Sequence, residues 1–253
     1  MNNTDALKEL LYKIADDQLI LGHRNSEWTG IGPLLEEDIA FSSMAQDKVG
    51  QSSALYKLLH DLGEKEPDTI AFMRDAAQYR CSHLVELPIG EYDFSLIRHF
   101  LFDTAELIRF DMLSRSSYKP LAQLAQKLKG EIKYHVMHAD IWIKQLGTSA
   151  DESVVERMQN ALNYAMPYAL GIFETSPYEA ELIESHIFEG EKALKEQWLQ
   201  RIEKVLAQTN LTMPDVLILS PAFGGRQGQH TEYLQPLLDE MTEVFRIEPD
   251  AKW

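Results

Sequence analysis

The sequence predicts an all-α protein built around a four-helix bundle with additional helices, in one domain over residues 1–253. Three observations carry this. Apolar residues recur at spacings of three and four along most of the chain, the mark of one-sided helices. The one convincing strand-like run, Val216 to Leu219, is too short for a sheet. Two pairs of long helical segments, each joined by a short turn, are separated by a longer connection.

From Ala6 to Leu21 the apolar positions Leu7, Leu10, Leu11, Ile14, Leu19 and Leu21 predict a first helix ending near Gly22. His23 to Pro33 reads as a loop, because breakers cluster after Thr29 and Pro33 suits the first turn of a new helix. Leu34 to Leu62 contains no breaker but Gly50 and predicts a long second helix. A turn at Gly63 to Asp68, a shorter segment from Thr69 to Leu84 and a break at Leu87 to Asp93 follow. The second pair is Phe94 to Ser114 and Pro120 to Leu146, with Gly147 as a C-cap. Asp151 to Phe173 predicts a fifth helix kinked at Pro167, and Glu191 to Gln208 a charged sixth. Two hairpins and a crossover are the layout of a ferritin-like bundle.

Composition narrows the functional classes. Forty acidic against 24 basic residues give a net charge of -16, which disfavours a phosphate backbone, so no nucleic-acid partner is expected. Charges interrupt every candidate membrane span, and the N-terminus is acidic where a signal peptide is basic, so no membrane association is expected. A single cysteine, Cys81, excludes an internal disulfide and fits the cytoplasm. With histidines scattered, there is no zinc-ligand spacing either, although His135 and His138 share a helix face.

Ferritin-like di-iron proteins hold their metals with one Glu from each of two helices and a Glu-x-x-His pair from each of the other two. Here the second helix carries Asp47-Lys48-Val49-Gly50-Gln51 and the fourth carries Glu131-Ile132-Lys133-Tyr134-His135, and neither contains that pair.

Several stretches carry a specific resemblance: Glu27 to Gln51, Ala71 to Tyr79 with Leu84 to Phe94, Gly130 to His135 with Ile143 to Gly147, and Gly224 to Met241. Together, in this order, they resemble the C subunits of bacterial phenylacetyl-CoA 1,2-epoxidases, from about Asp16 to Trp253. The resemblance implies a structural, non-catalytic subunit of a ring-epoxidising monooxygenase in phenylacetate degradation. It would pair with a homologous catalytic A subunit that holds the di-iron centre, in a complex with a small B subunit. No cofactor and no metal are expected in this chain. Against the catalytic relative, Lys48 and Ile132 fall at Glu ligand positions, and Gln51 and His135 at His positions. The single carboxylates, about one hairpin upstream, are nominated as Asp16 and Asp103, with Asp17 and Glu106 as neighbours. The expectation is a degenerate site in which Lys48 pairs with Asp16 or Asp103; the alternative is that Lys48 snorkels outward.

A stand-alone di-metal oxygenase or oxidase with a reorganised ligand set from Asp16, Asp47, Asp103, Gln51 and His135 is the competing reading. Phenylacetyl-CoA, bound at the subunit interface, would meet Arg74, Gln78, Tyr79, Arg80 and Cys81, with a weaker contribution from Ala180, Glu181 and Leu182. The ordinary reading of the Arg74 to Cys81 segment is a solvated helix face. Gly224, Gly225 and Gly228 give a glycine-rich stretch without Gly-Lys-Ser/Thr, so it reads as a loop for close backbone approach, a candidate partner face with Tyr233, Phe245 and Trp253.

Overall fold

The computed structural model describes residues 3–248 and is all-α there, with ten α-helices and no strand among the described residues. The expected Trp253 contribution lies outside the described residues. Contacts divide the chain into two compact units, Met1–Pro88 with Gly224–Trp253, and Ile89–Phe223.

In the first unit, helix α1 (Asn3–Ser26) and helix α2 (Leu35–Asp61) form a long hairpin. Leu7, Leu11, Ile14, Met44, Leu55 and Leu59 are buried, the period of three to four that the sequence shows. Helix α1 does not stop at Gly22. A β-carbon there would lie 3.0 Å from Val49 Cγ2 and 3.2 Å from Lys48 Cβ, so the glycine lets the two helices approach and the helix continues through it to Ser26. The segment expected over Thr69 to Leu84 is three short pieces: helix α3 (Pro67–Phe72), a 3₁₀ turn (Ala76–Gln78) and helix α4 (His83–Glu86). The C-terminal helix α10 (Leu234–Ile247) packs on α3, with Phe245 and Phe72 rings 5.1 Å apart.

In the second unit, helix α5 (Tyr92–Leu113) is buried along almost its whole length. It pairs with helix α6 (Lys119–Gly147) and packs against helices α7 (Glu152–Leu170) and α9 (Glu191–Leu206). Trp198 of α9 is fully buried and donates its indole N–H to the Leu101 carbonyl at 2.8 Å. Helix α8 (Glu179–Glu184) lies between α7 and α9 in the chain. Helix α7 passes through Pro167 and tightens into a 3₁₀ turn at Gly171–Phe173. Gly147 is the last residue of α6 rather than its cap, which is Thr148; a β-carbon on Gly147 would lie 2.9 Å from Thr209 Cβ, so the glycine admits close packing.

The strand expected at Val216 to Leu219 is a turn, in which Asp215 Oδ1 accepts the Leu217 amide at 3.0 Å. Leu217 and Ile218 are 91% and 79% exposed; with no strand alongside to take its backbone groups, the apolar run has nothing to pair with.

Candidate functional site

Each unit carries half of the nominated residues, so each is described within its own unit. On α1, Asp16 is fully buried and accepts four hydrogen bonds. Tyr56 hydroxyl and Arg74 Nη2 reach Oδ1 at 2.6 and 2.5 Å, while Arg74 Nη1 and the Arg80 amide reach Oδ2 at 3.0 and 2.7 Å. The Arg74 guanidinium lies 4.1 Å from the Tyr79 ring centroid, 5.1 Å from that of Tyr12 and 5.7 Å from that of Tyr56. Burial works against its charge, but Asp16 and the tyrosines around it outweigh this and hold its pKa above the ordinary arginine value. Burial first, then the Asp16 charge, pushes the Tyr56 hydroxyl well up, so it stays a donor.

Lys48 and Gln51 are fully buried one turn apart on α2. Lys48 does not snorkel outward; its Nζ donates to Gln18 Oε1 at 3.4 Å. Of its two expected partners, Asp16 takes its cation from Arg74 instead. The physical reason is shape: a planar fork meets both carboxylate oxygens, which an ammonium cannot. Asp17, the alternative carboxylate, is bound separately, by Arg226 Nη2 and the Ser82 amide, both at 2.7 Å.

In the second unit, Asp103 is fully buried on α5, and His99 Nδ1 lies 2.6 Å from its Oδ2. His135 Nδ1 lies 3.8 Å from the other oxygen, so α6 brings its ligand-type histidine to the nominated carboxylate. Ile132, one turn before, is fully buried and apolar. Glu106, the neighbouring alternative, is held by Arg109 at 2.8 Å, and the same guanidinium reaches Glu191 at 2.6 Å, a buried triad.

The other nominated residues are distributed as follows. Tyr79 and Cys81 are fully buried, Arg74 is committed to Asp16, and Arg80 pairs with Glu9 at 3.2 Å, so this segment is no solvated helix face. Gln78 is exposed, and its side-chain Oε1 accepts the Asp75 amide at 2.8 Å. Ala180, Glu181 and Leu182 belong to α8 in the other unit, exposed, half-buried and buried in turn. The glycine loop meets the chain's own backbone: β-carbons on Gly225 and Gly228 would each fall 2.2 Å from a carbonyl oxygen, of Cys81 and Ala77.

His99, Tyr56 and Arg109 escape the sequence reading. His99 and Arg109 leave local signals, a His-x-x-x-Asp spacing to Asp103 and a Glu-x-x-Arg spacing to Glu106, each on one helix face; Tyr56 leaves none. No helix of the described residues is long and apolar enough to cross a membrane.

Comparison with known proteins agrees over the full length. Residues 1–253 match the family described as phenylacetic acid catabolic protein. The chain is also 30% identical over 242 residues to the C subunit of 1,2-phenylacetyl-CoA epoxidase from Escherichia coli (strain K12), covering 95% of this chain and 96% of that one.

Proposed function

The chain belongs to the phenylacetic acid catabolic protein family, with an all-α, ferritin-like fold, and on that basis we propose that it is the structural, non-catalytic subunit of a multicomponent phenylacetyl-CoA epoxidase. In this reading it is a cytoplasmic protein that pairs with a homologous di-iron catalytic A subunit, alongside a small B subunit, and itself carries no di-iron centre. Its relation to the C subunit of an epoxidase supports the role in phenylacetate catabolism.

The observation that carries the non-catalytic assignment is the guanidinium on Asp16. Two iron ions need several free carboxylates to offset their charge. Here Arg74 takes both Asp16 oxygens, Lys48 brings an ammonium where a Glu ligand would stand, and Ile132 offers no donor. These residues do not fit a di-iron centre. Asp103 with His99 and His135 keeps ligand-type groups, which is what a stand-alone oxygenase would build on.

Surface chemistry supports the pairing. From Ile39 to Ser53 the exposed positions of α2 are Ile39, Ser43, Gln46, Val49, Gly50 and Ser53, with no charge among them. On α6 the run Tyr134, Met137, Ile141 and Gln145 is likewise exposed and uncharged. On a chain of net charge -16 such stripes are the faces that a partner would cover, whereas the glycine loop is turned to its own unit. Phenylacetyl-CoA at the subunit interface would then meet Gln78 and Arg80 rather than the buried Tyr79 and Cys81.

The test is co-expression with the catalytic partner. Ile39→Glu with Val49→Glu is expected to abolish co-purification while leaving the melting temperature unchanged. Iron near two atoms per chain in the purified protein, with oxygenase activity in the absence of partners, would overturn the assignment.

A further inference from the structure

Cys81, Glu86 and His230 converge within the first unit although 149 residues separate the cysteine from the histidine. One donor atom from each lies within 4.8 Å of the others. Cys81 Sγ is 3.7 Å from Glu86 Oε1 and 3.9 Å from His230 Nδ1, and those two are 2.7 Å apart. Cys81 and Glu86 are fully buried and the His230 side chain is 6% exposed, so the trio is closed except at the histidine edge.

We propose that these three residues form a mononuclear site for a borderline-soft divalent cation of the zinc class, which fastens the C-terminal segment to the segment between Tyr79 and Glu86. Thiolate, imidazole and carboxylate are the donor types that zinc selects, and three protein ligands leave a fourth position for water. Bond lengths of about 2.0 to 2.3 Å at tetrahedral angles place sulfur about 3.6 Å from the other two donors, and nitrogen about 3.4 Å from oxygen. Both sulfur separations are already near that value. The histidine and glutamate, hydrogen-bonded to each other in the metal-free chain, would open by about 0.7 Å to admit the ion.

The surrounding contacts orient the donors as metal ligands usually are. His230 Nε2 lies 3.2 Å from the Tyr79 carbonyl, which fixes the proton there and leaves Nδ1 facing the cysteine and glutamate. Glu86 Oε2 accepts the Thr231 amide and hydroxyl, both at 2.7 Å, and this leaves Oε1 pointed into the trio. In the metal-free chain burial, then the Glu86 charge, keeps the thiol protonated to unusually high pH. A bound cation reverses that preference: the thiol proton and the proton shared by His230 Nδ1 and Glu86 Oε1 both leave to solvent as the three bonds to the metal form.

Cobalt(II) is the probe, added to the chelator-stripped full chain. Cys81 is the sole cysteine, so a thiolate-to-cobalt charge-transfer band can arise nowhere else. The expected result is a band that saturates at one equivalent, is displaced by zinc, and is accompanied by a rise in melting temperature. Thr231→Val, which removes one Glu86 hydrogen bond and no ligand, is expected to weaken metal binding about 10- to 100-fold. His230→Gln should lose the temperature rise while its far-ultraviolet dichroism matches the parent. Absence of the cobalt band in the unmutated chain, or an unchanged zinc-induced temperature rise in Cys81→Ser, would overturn the site.

Discussion

Asp16 on α1 and Asp103 on α5 are both fully buried, and different groups meet their carboxylates. Asp16 receives a guanidinium from 58 residues away, a tyrosine hydroxyl and a backbone amide. Asp103 receives an imidazole from four residues earlier on its own helix and a more distant one from α6. The first arrangement needs the tertiary fold to exist and carries a permanent positive charge. The second includes a local contact, from a histidine one turn away on the same helix, and a contact from α6. One carboxylate is thus locked by an ion pair, while the other still offers ligand-type chemistry.

The most severe challenge to this contrast is Arg74→Met. It leaves a buried carboxylate without its cation, and about 3 to 5 kcal/mol of stability should be lost in denaturant titration. Combining it with Asp16→Leu should recover much of the loss, because replacing both charges with apolar groups removes the uncompensated one. If the single variant unfolds at the parent concentration of denaturant, Arg74 is not the cation that matters.

Tyr56→Phe should cost less, about 1.5 to 3 kcal/mol, the range for a hydrogen bond to a charged group. His99→Leu, the matching change at Asp103, should cost about 1 to 3 kcal/mol, the penalty for one buried acceptor left short. A His99→Leu cost above that of Arg74→Met would reverse the ranking of the two halves.

The smallest effect is a pH slope. The Cys81 thiol is held protonated in the fold, whereas in the unfolded chain it ionises near about pH 8.5. Between those two values the folded state binds more protons than the unfolded, so stability falls as pH rises, by at most about 1.4 kcal/mol per pH unit. Metal-free protein should show this fall above about pH 8.5 in unfolding curves, and Cys81→Ala should lack it.

Much of the architecture is legible in the sequence because helical periodicity is a local property. Both long hairpins, the turn at Gly63 and the break after Glu86 follow from apolar spacing and from Gly and Pro. Gly22 shows the limit: a glycine that ends a helix and one that admits a neighbouring helix look alike in one dimension. Val216 to Leu219 shows another, since a β-branched, apolar run becomes a strand only where a second strand pairs with it.

The family resemblance, laid over helix spacing, also singled out Lys48 and Gln51, which are fully buried. It could not find Arg74 as the partner of Asp16, nor set Cys81 beside His230, because both depend on where loops return after tens of residues. The order of residues along the chain is enough to set the helices and the acidity. Which cation meets which buried carboxylate is settled only when helices and loops pack, since burial raises the cost of an unpaired charge without specifying which residue will pair with it.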